Sequence, residues 1–243
     1  MKKALITGAN KGIGFETARQ LLQHGYFVYL GSRDRQRGEQ AAGQLRAEGY
    51  SQVEALHLDV TDSTCIAAAR QALGQRTAVL DVLINNAGIS GGYPQPALET
   101  PLHTFREVFN TNVFGAIEVT QAFCDLLRES SAPRIVNVSS GLGSLTLQND
   151  PRWRFYAVKG GVYPASKTAL NAYTIALAYE LRETHFKVNA VCPGYVDTDF
   201  TDHLGDSSPS EAAARVLQAA LLGPEGPSGQ FFGQEVGTDR NPW

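Results

Sequence analysis

A doubly wound α/β fold is predicted by three features of this 243-residue chain. Short apolar runs alternate with longer segments of helical periodicity. The runs are apolar throughout, as parallel strands covered on both faces require, where a half-wet strand would alternate. The first run leads directly into a glycine-rich turn and a helix. Together these imply βαβ units with right-handed crossovers. The expected architecture is a sheet of about seven parallel strands with helices on both faces, a three-layer α/β/α arrangement.

The elements follow in order. Strands are expected at residues 4–7, 27–30, 53–58, 79–84, 134–138 and 188–191, with a final one near 230–232. Helices are expected at 13–24, 35–48, 63–73, 102–127, 165–183 and 210–222. Two segments break the alternation: 141–162, and 195–209, which is rich in Asp, Ser and Gly. Loops of that length are more often functional than idle. There is no internal repeat and no low-complexity linker, so residues 1–243 read as one domain, long enough to bury a full core.

Composition narrows the function classes. Hydrophobic residues make up 43% and charged residues 19%, with a net charge of −3. That balance argues against nucleic acid or an anionic membrane as the main partner. The apolar run after Met1-Lys2-Lys3 stops at Thr7-Gly8, too short for a signal sequence, and no run reaches a membrane span. The three cysteines, Cys65, Cys124 and Cys192, are scattered and odd in number, which favours a reducing, cytoplasmic setting over a disulfide framework. The five histidines show no metal-like spacing, and no metal is expected.

The turn Thr7-Gly8-Ala9-Asn10-Lys11-Gly12-Ile13-Gly14 joins the first strand to the first helix. Glycines let the backbone turn tightly and approach a phosphate without a Cβ in the way. The helix start then offers free N–H groups and a positive dipole end. By itself this supports a phosphate site or a purely structural turn.

Further motifs occur in order. Asn85-Asn86-Ala87-Gly88 closes the fourth strand, and Asn112 lies in Asn110-Thr111-Asn112-Val113-Phe114-Gly115. Ser139-Ser140 follows the fifth strand, Tyr163 and Lys167 form Y-x-x-x-K, and Pro193-Gly194 follows the sixth. Over essentially its whole length the chain resembles the short-chain dehydrogenase/reductase family, most closely its carbonyl reductases. The resemblance implies a Rossmann-type fold and hydride exchange with a nicotinamide cofactor.

The acid that usually holds the ribose 2′-OH of NAD is missing at Ser32. Arg33 follows it, and Lys11 sits within the turn. Two cations suit a 2′-phosphate, so NADP(H) is the expected cofactor, unless both are plain surface charges. Asp34 reads as a helix cap. By resemblance, Asp59 and Val60 border the adenine, with helix start as the alternative for Asp59. Gly8, Asn10, Lys11, Gly12, Ile13, Gly14, Asn86 and Gly88 line the cofactor, and Asn85 ties strands together. Pro193, Gly194, Val196 and Thr198 approach the nicotinamide.

Carbonyl reduction needs a proton donor and a group to hold the oxygen. A free tyrosine titrates near pH ~10, and a nearby ammonium is expected to lower that. Tyr163 and Lys167 share a helical face, and no other of the nine tyrosines has Lys at i+4. Ser140 or its neighbour Ser139 can bond the substrate oxygen; the family pattern favours Ser140. Asn112 is implied to hold a relay water leading to Lys167, or else to mark a helix kink. Tyr163 and Lys167 also border the cofactor.

Tyr93, Trp153, Phe155, Tyr156, Tyr195 and Phe200 either frame an apolar carbonyl or alcohol substrate or pack their own loops. The 195–209 segment could close as a lid. The 22 residues between Ser140 and Tyr163 are more than usual for the family but fewer than in its monomeric reductases, which leaves monomer and homo-oligomer both open. Two other readings of the chain are a non-catalytic NADP(H) sensor, opposed by the intact Ser140, Tyr163 and Lys167, and an extended-branch epimerase, opposed by the short chain.

Overall fold

The apolar runs assemble, in a computed structural model describing residues 1–235, 237 and 239–243, into one seven-stranded sheet. The strands are β1 (Lys3–Ile6), β2 (Phe27–Ser32), β3 (Val53–His57), β4 (Val82–Asn85), β5 (Arg134–Val138), β6 (Lys187–Val191) and β7 (Phe231–Phe232). Their order is β3-β2-β1-β4-β5-β6-β7, and every pairing is parallel. The direction of winding reverses between β1 and β4. A crevice therefore opens beyond their carboxyl ends, the place where α/β sheets take ligands.

Eight α-helices accompany the sheet among the described residues: α1 (Gly12–Gln23), α2 (Arg35–Ala47), α3 (Ser63–Gly74), α4 (Leu102–Phe109), α5 (Gly115–Arg128), α6 (Leu145–Gln148), α7 (Tyr163–Glu180) and α8 (Pro209–Ala220). One face of the sheet packs on α1, α2 and α8 through residues such as Leu21, Leu45 and Val216. The other packs on α3, α5 and α7 through Ile66, Phe123 and Ala178. The two apolar clusters lie on opposite sides of strands whose residues are nearly all buried, which completes the three layers. No helix among the described residues is long and apolar enough to cross a membrane.

Several boundaries differ from the sequence-based expectation, among them these three. The long helix expected over 102–127 is broken into α4 and α5 by a π-helical turn, Asn110–Phe114. Its apolar period runs on through the break, so the pattern did not reveal it. Helix α7 begins at Tyr163, two residues early, because Pro164 suits a first helical turn. Strand β4 starts at Val82 rather than at 79. The Asp81 carboxylate accepts the Lys3 N–H at 2.7 Å and the Ser130 hydroxyl at 2.7 Å, so Asp81 closes the sheet's lower edge.

Candidate active site

The glycine-rich turn leaves β1 over the crevice, and its shape depends on having no side chains. Gly8 holds a left-handed φ of +63°, and a Cβ there would stand 3.0 Å from Ala87 Cα. A Cβ on Gly14 would meet Asn86 Nδ2 at 2.5 Å and the Gly8 carbonyl oxygen at 2.7 Å. Asn86 makes the turn rigid by donating its amide to the carbonyls of Thr7 and Gly8, at 2.9 and 3.1 Å. Lys11 occupies the N-cap of α1 without a side-chain cap, so the first amides of that helix are left for another acceptor. A cradle of this kind fits a pyrophosphate.

The cations expected near a 2′-phosphate lie apart from each other in contacts. Arg33 is exposed and makes no ion pair among the described residues. Lys11 Nζ pairs with Asp199 at 2.7 Å, and both side chains are about 60% exposed. Asp34 accepts the Arg37 N–H at 3.0 Å and caps α2, as expected. Asp59 Oδ1 accepts the N–H and hydroxyl of Thr61, while the cap of α3 is Asp62. The helix-start alternative for Asp59 therefore falls to Asp62, and Oδ2 of Asp59 takes no hydrogen bond among the described residues. Val60 is buried beneath α5, with its carbonyl close to Gly115.

Four side-chain bonds seat α7 on β5 and the turn that follows it. Asn137 donates to Thr174 at 2.9 Å, and Ser139 donates to Asn171 Oδ1 at 2.6 Å. The Asn171 amide and the Thr168 hydroxyl both donate to the Gly143 carbonyl. Asn85 joins the same layer through Asn137 and Thr120, the strand-tying role expected of it. Ser139 is thus committed to packing. Ser140, half-buried, accepts the Leu142 N–H at 3.2 Å, and its hydroxyl lies near enough to the Tyr163 phenol to favour the ionised form.

Lys167 lies one turn below, 4% exposed, with Nζ donating to the Val138 carbonyl at 2.8 Å and 5.8 Å from the centre of the Tyr163 ring. Burial pushes its pKa down to about 8. The depression expected for Tyr163 is reversed: burial raises it above the ordinary tyrosine range, the Ser140 hydroxyl opposes that, and Tyr93 and Cys192 nearby add to it. Desolvation is the largest cause, and the Lys167 ammonium is engaged by the Val138 carbonyl.

Asn112 sits inside the π turn and is 1% exposed. Its amide both accepts from and donates to the main chain of Ile89, at 2.9 and 3.0 Å, and also donates to Ser166 Oγ at 3.0 Å. The π turn is the break that the kink reading expected, and it places this amide between Ile89 and α7. Ser166, between Tyr163 and Lys167, was missed from sequence; only its place at i+3 from Tyr163 hinted at it. At Gly88, a Cβ would stand 3.3 Å from Asn112 Oδ1 and 3.6 Å from Lys167 Nζ.

Beyond β6, Pro193 receives a bond from Arg215, and Gly194 turns the chain toward Val196, which bridges to Ser207. Thr198 faces the cofactor turn, its methyl 3.6 Å from where a Gly12 Cβ would be. The aromatic residues divide into two groups. Trp153, Phe155 and Tyr195 form an edge-on chain with one another. Phe200, 45% exposed, lies 5.6 Å from the Tyr163 ring, and Tyr93 flanks the same phenol. Among the described residues, Tyr156 stacks only with Lys159.

Comparisons with known proteins agree on one family. A family model described as short chain dehydrogenase matches residues 2–208. The chain is 31% identical to a (+)-neomenthol dehydrogenase of Capsicum annuum, with 94% of each covered. The solved structure of salutaridine reductase from Papaver somniferum superposes with a TM-score of 0.83 at 30% identity, covering 95% of this chain and 99% of that one. An NADPH-bound carbonyl reductase from chicken fatty liver gives 0.85 at 28% identity, covering 100% and 99%.

Proposed function

This chain belongs to the short-chain dehydrogenase family and is an NAD(P)-dependent oxidoreductase, and from that premise we propose that it reduces an apolar ketone or aldehyde to the alcohol, or runs the reverse oxidation, at Ser140, Tyr163, Lys167 and Asn112. The observation that carries this reading is the buried Tyr163 phenol beside the Ser140 hydroxyl, with buried Lys167 one turn below.

NADP(H) is the cofactor; the carbonyl reductase of similar structure holds NADPH, and Lys11 and Arg33 are the cations we assign to its 2′-phosphate. The Lys11–Asp199 pair is no obstacle, since exposed ion pairs contribute only about 0–1 kcal/mol. Gly8, Asn10, Gly12, Ile13 and Gly14 cradle the pyrophosphate. Asp59 Oδ2 and Val60 border the adenine, Asn86 and Gly88 the middle of the cleft. Pro193, Gly194, Val196 and Thr198 border the nicotinamide. When bound, the cofactor supplies or accepts the hydride.

The residues of the chain handle the proton. Tyr163 holds its proton through neutral pH because it is buried, so in reduction it acts as the acid toward the substrate oxygen. Ser140 bonds that oxygen and keeps the phenol aimed at it. Lys167, with a pKa near 8, is charged at neutral pH and still able to exchange a proton. Asn112 and Lys167 border the gap that Gly88 keeps open, a space suited to a relay water. Phe200 and Tyr93 favour an apolar substrate face. The unpaired thiols fit a reducing, cytoplasmic setting.

The test is NADPH consumption by the purified protein with cyclic ketones and aromatic aldehydes. Tyr163→Phe should lower turnover by about 10²–10⁴-fold with NADPH affinity within about twofold of wild type. Turnover unchanged in that variant would overturn the assignment.

A further inference from the structure

Gln95 is 2% exposed although it sits in a loop of glycines and prolines, and each polar group of its side chain is used. Nε2 donates to the carbonyls of Ser90 and Gly92, at 2.6 Å each. Oε1 accepts the Tyr163 N–H at 2.9 Å, and the Gln95 carbonyl accepts the Gly161 N–H at 2.9 Å. The fit is tight: a Cβ on Gly160 would stand 2.9 Å from Oε1.

Tyr163 is the first residue of α7, where amides have no acceptor within the helix. Val162 provides no side-chain cap, and Pro164 has no N–H. The cap comes instead from 68 residues upstream. Asn112 works in parallel, joining Ile89 of the same loop to Ser166 of the same helix. Two buried amides therefore stitch the loop after β4 to the turn of α7 that carries the phenol.

We infer that Gln95 is a positioning residue for the proposed reaction. Its hold on the Tyr163 main chain sets the height of the phenol over Ser140. It acts through Tyr163 and rests on the reductase reading of that site.

Gln95→Leu removes both the acceptor and the donors at similar volume. It should lower kcat for carbonyl reduction at least tenfold, with KM for the carbonyl within about threefold and NADPH affinity within about twofold. Gln95→Glu, as the buried neutral acid, restores an acceptor for the Tyr163 amide and one donor toward the Ser90 and Gly92 carbonyls, and should raise kcat at least fivefold above that of Gln95→Leu. If Gln95→Leu fails to fold, Gln95→Asn, one methylene too short, takes its place under the same criteria. The proposal is overturned if the first variant keeps kcat within twofold of wild type. It is also overturned if the glutamate rescues nothing, or if cofactor affinity falls in step with kcat. A wild-type protein that reduces no carbonyl would defeat the reductase reading instead. Amide exchange at Tyr163 then decides the cap alone: about tenfold faster exchange in Gln95→Leu supports it, and equal exchange overturns it.

Discussion

Two segments flank the crevice, the turn after β1 and the stretch 195–209 after β6, and they are held in place by different forces. The first is fixed by main-chain geometry. Asn86 bonds its carbonyls, Ala9 N–H reaches the Gly31 carbonyl at 2.9 Å, and Gly14 leaves no room for a methyl group. The second is closed on itself by main-chain bonds, among them Asp197 N–H to the Ser207 carbonyl at 2.8 Å and Asp206 N–H to the Tyr195 carbonyl at 2.9 Å, while its ties to other segments include exposed ion pairs. Asp199 pairs with Lys11, Asp206 with Arg154, and His203 sits between Asp197 and Asp199. Segments with few buried contacts open at low cost. In the proposed site, the first is a rigid wall for the cofactor and the second an adjustable one for the substrate.

The hardest blow to that contrast falls on the rigid side. Gly14→Val forces atoms into Asn86 and the Gly8 carbonyl, and should weaken NADPH binding more than 100-fold, read by quenching of cofactor fluorescence. Intact binding would mean that the turn is as adaptable as its counterpart. Next comes the double change Lys11→Ala with Arg33→Ala, expected to raise the NADPH Kd about 10- to 100-fold (about 1.4–2.8 kcal/mol) and to leave NADH within threefold. Equal losses for both cofactors would remove the 2′-phosphate from the account.

A third, smaller effect is on pH. Lys167 loses its charge near pH 8, so kcat for reduction should be level below that value and fall as pH rises through it. The stability effect has the opposite sign. Between about 8 and the free lysine value of about 10.5 the unfolded chain binds more protons, so stability from this group rises with pH. Chemical denaturation across that range checks the direction. The smallest effect belongs to the adjustable wall. His203 is held above its ordinary pKa by Asp197 first and then Asp199, so its contribution is present below about 6.5 and lost as pH rises through its higher folded value. His203→Gln should flatten a pH-dependent rise of up to about threefold in carbonyl KM, with kcat unchanged. A kcat change would tie this histidine to the chemistry.

The same contrast governs what could be read from the chain beforehand. Strands, the glycine turn and the Tyr163–Lys167 pair were legible because each is a local requirement: apolar runs, backbone freedom, a spacing of four on a helix. The contacts between distant segments were not. Lys11 and Asp199 are 188 residues apart, and Gln95 and Tyr163 are 68 apart, with no local pattern at either end. The π turn escaped for another reason. Apolar residues continue at helical spacing on both sides of Asn112, so only the hydrogen-bond pattern betrays it. Ser139 and Ser140 look alike in sequence; the partner Asn171 distinguishes them, and it lies 32 residues away from Ser139.

That π turn also limits how the gene can tolerate length changes. A π turn carries one residue more than the α-helix around it, and each residue of an α-helix advances the direction of a side chain by about 100°. Deleting one residue anywhere in Asn110–Phe114 would let the backbone heal into a continuous helix. All of α5 would then swing by about that angle, taking Val119, Phe123 and Leu126 off the face they now cover. A single lost codon there would disturb the sheet packing and the placement of Asn112 together, whereas loss of the exposed Pro151 or Arg152 would leave both alone.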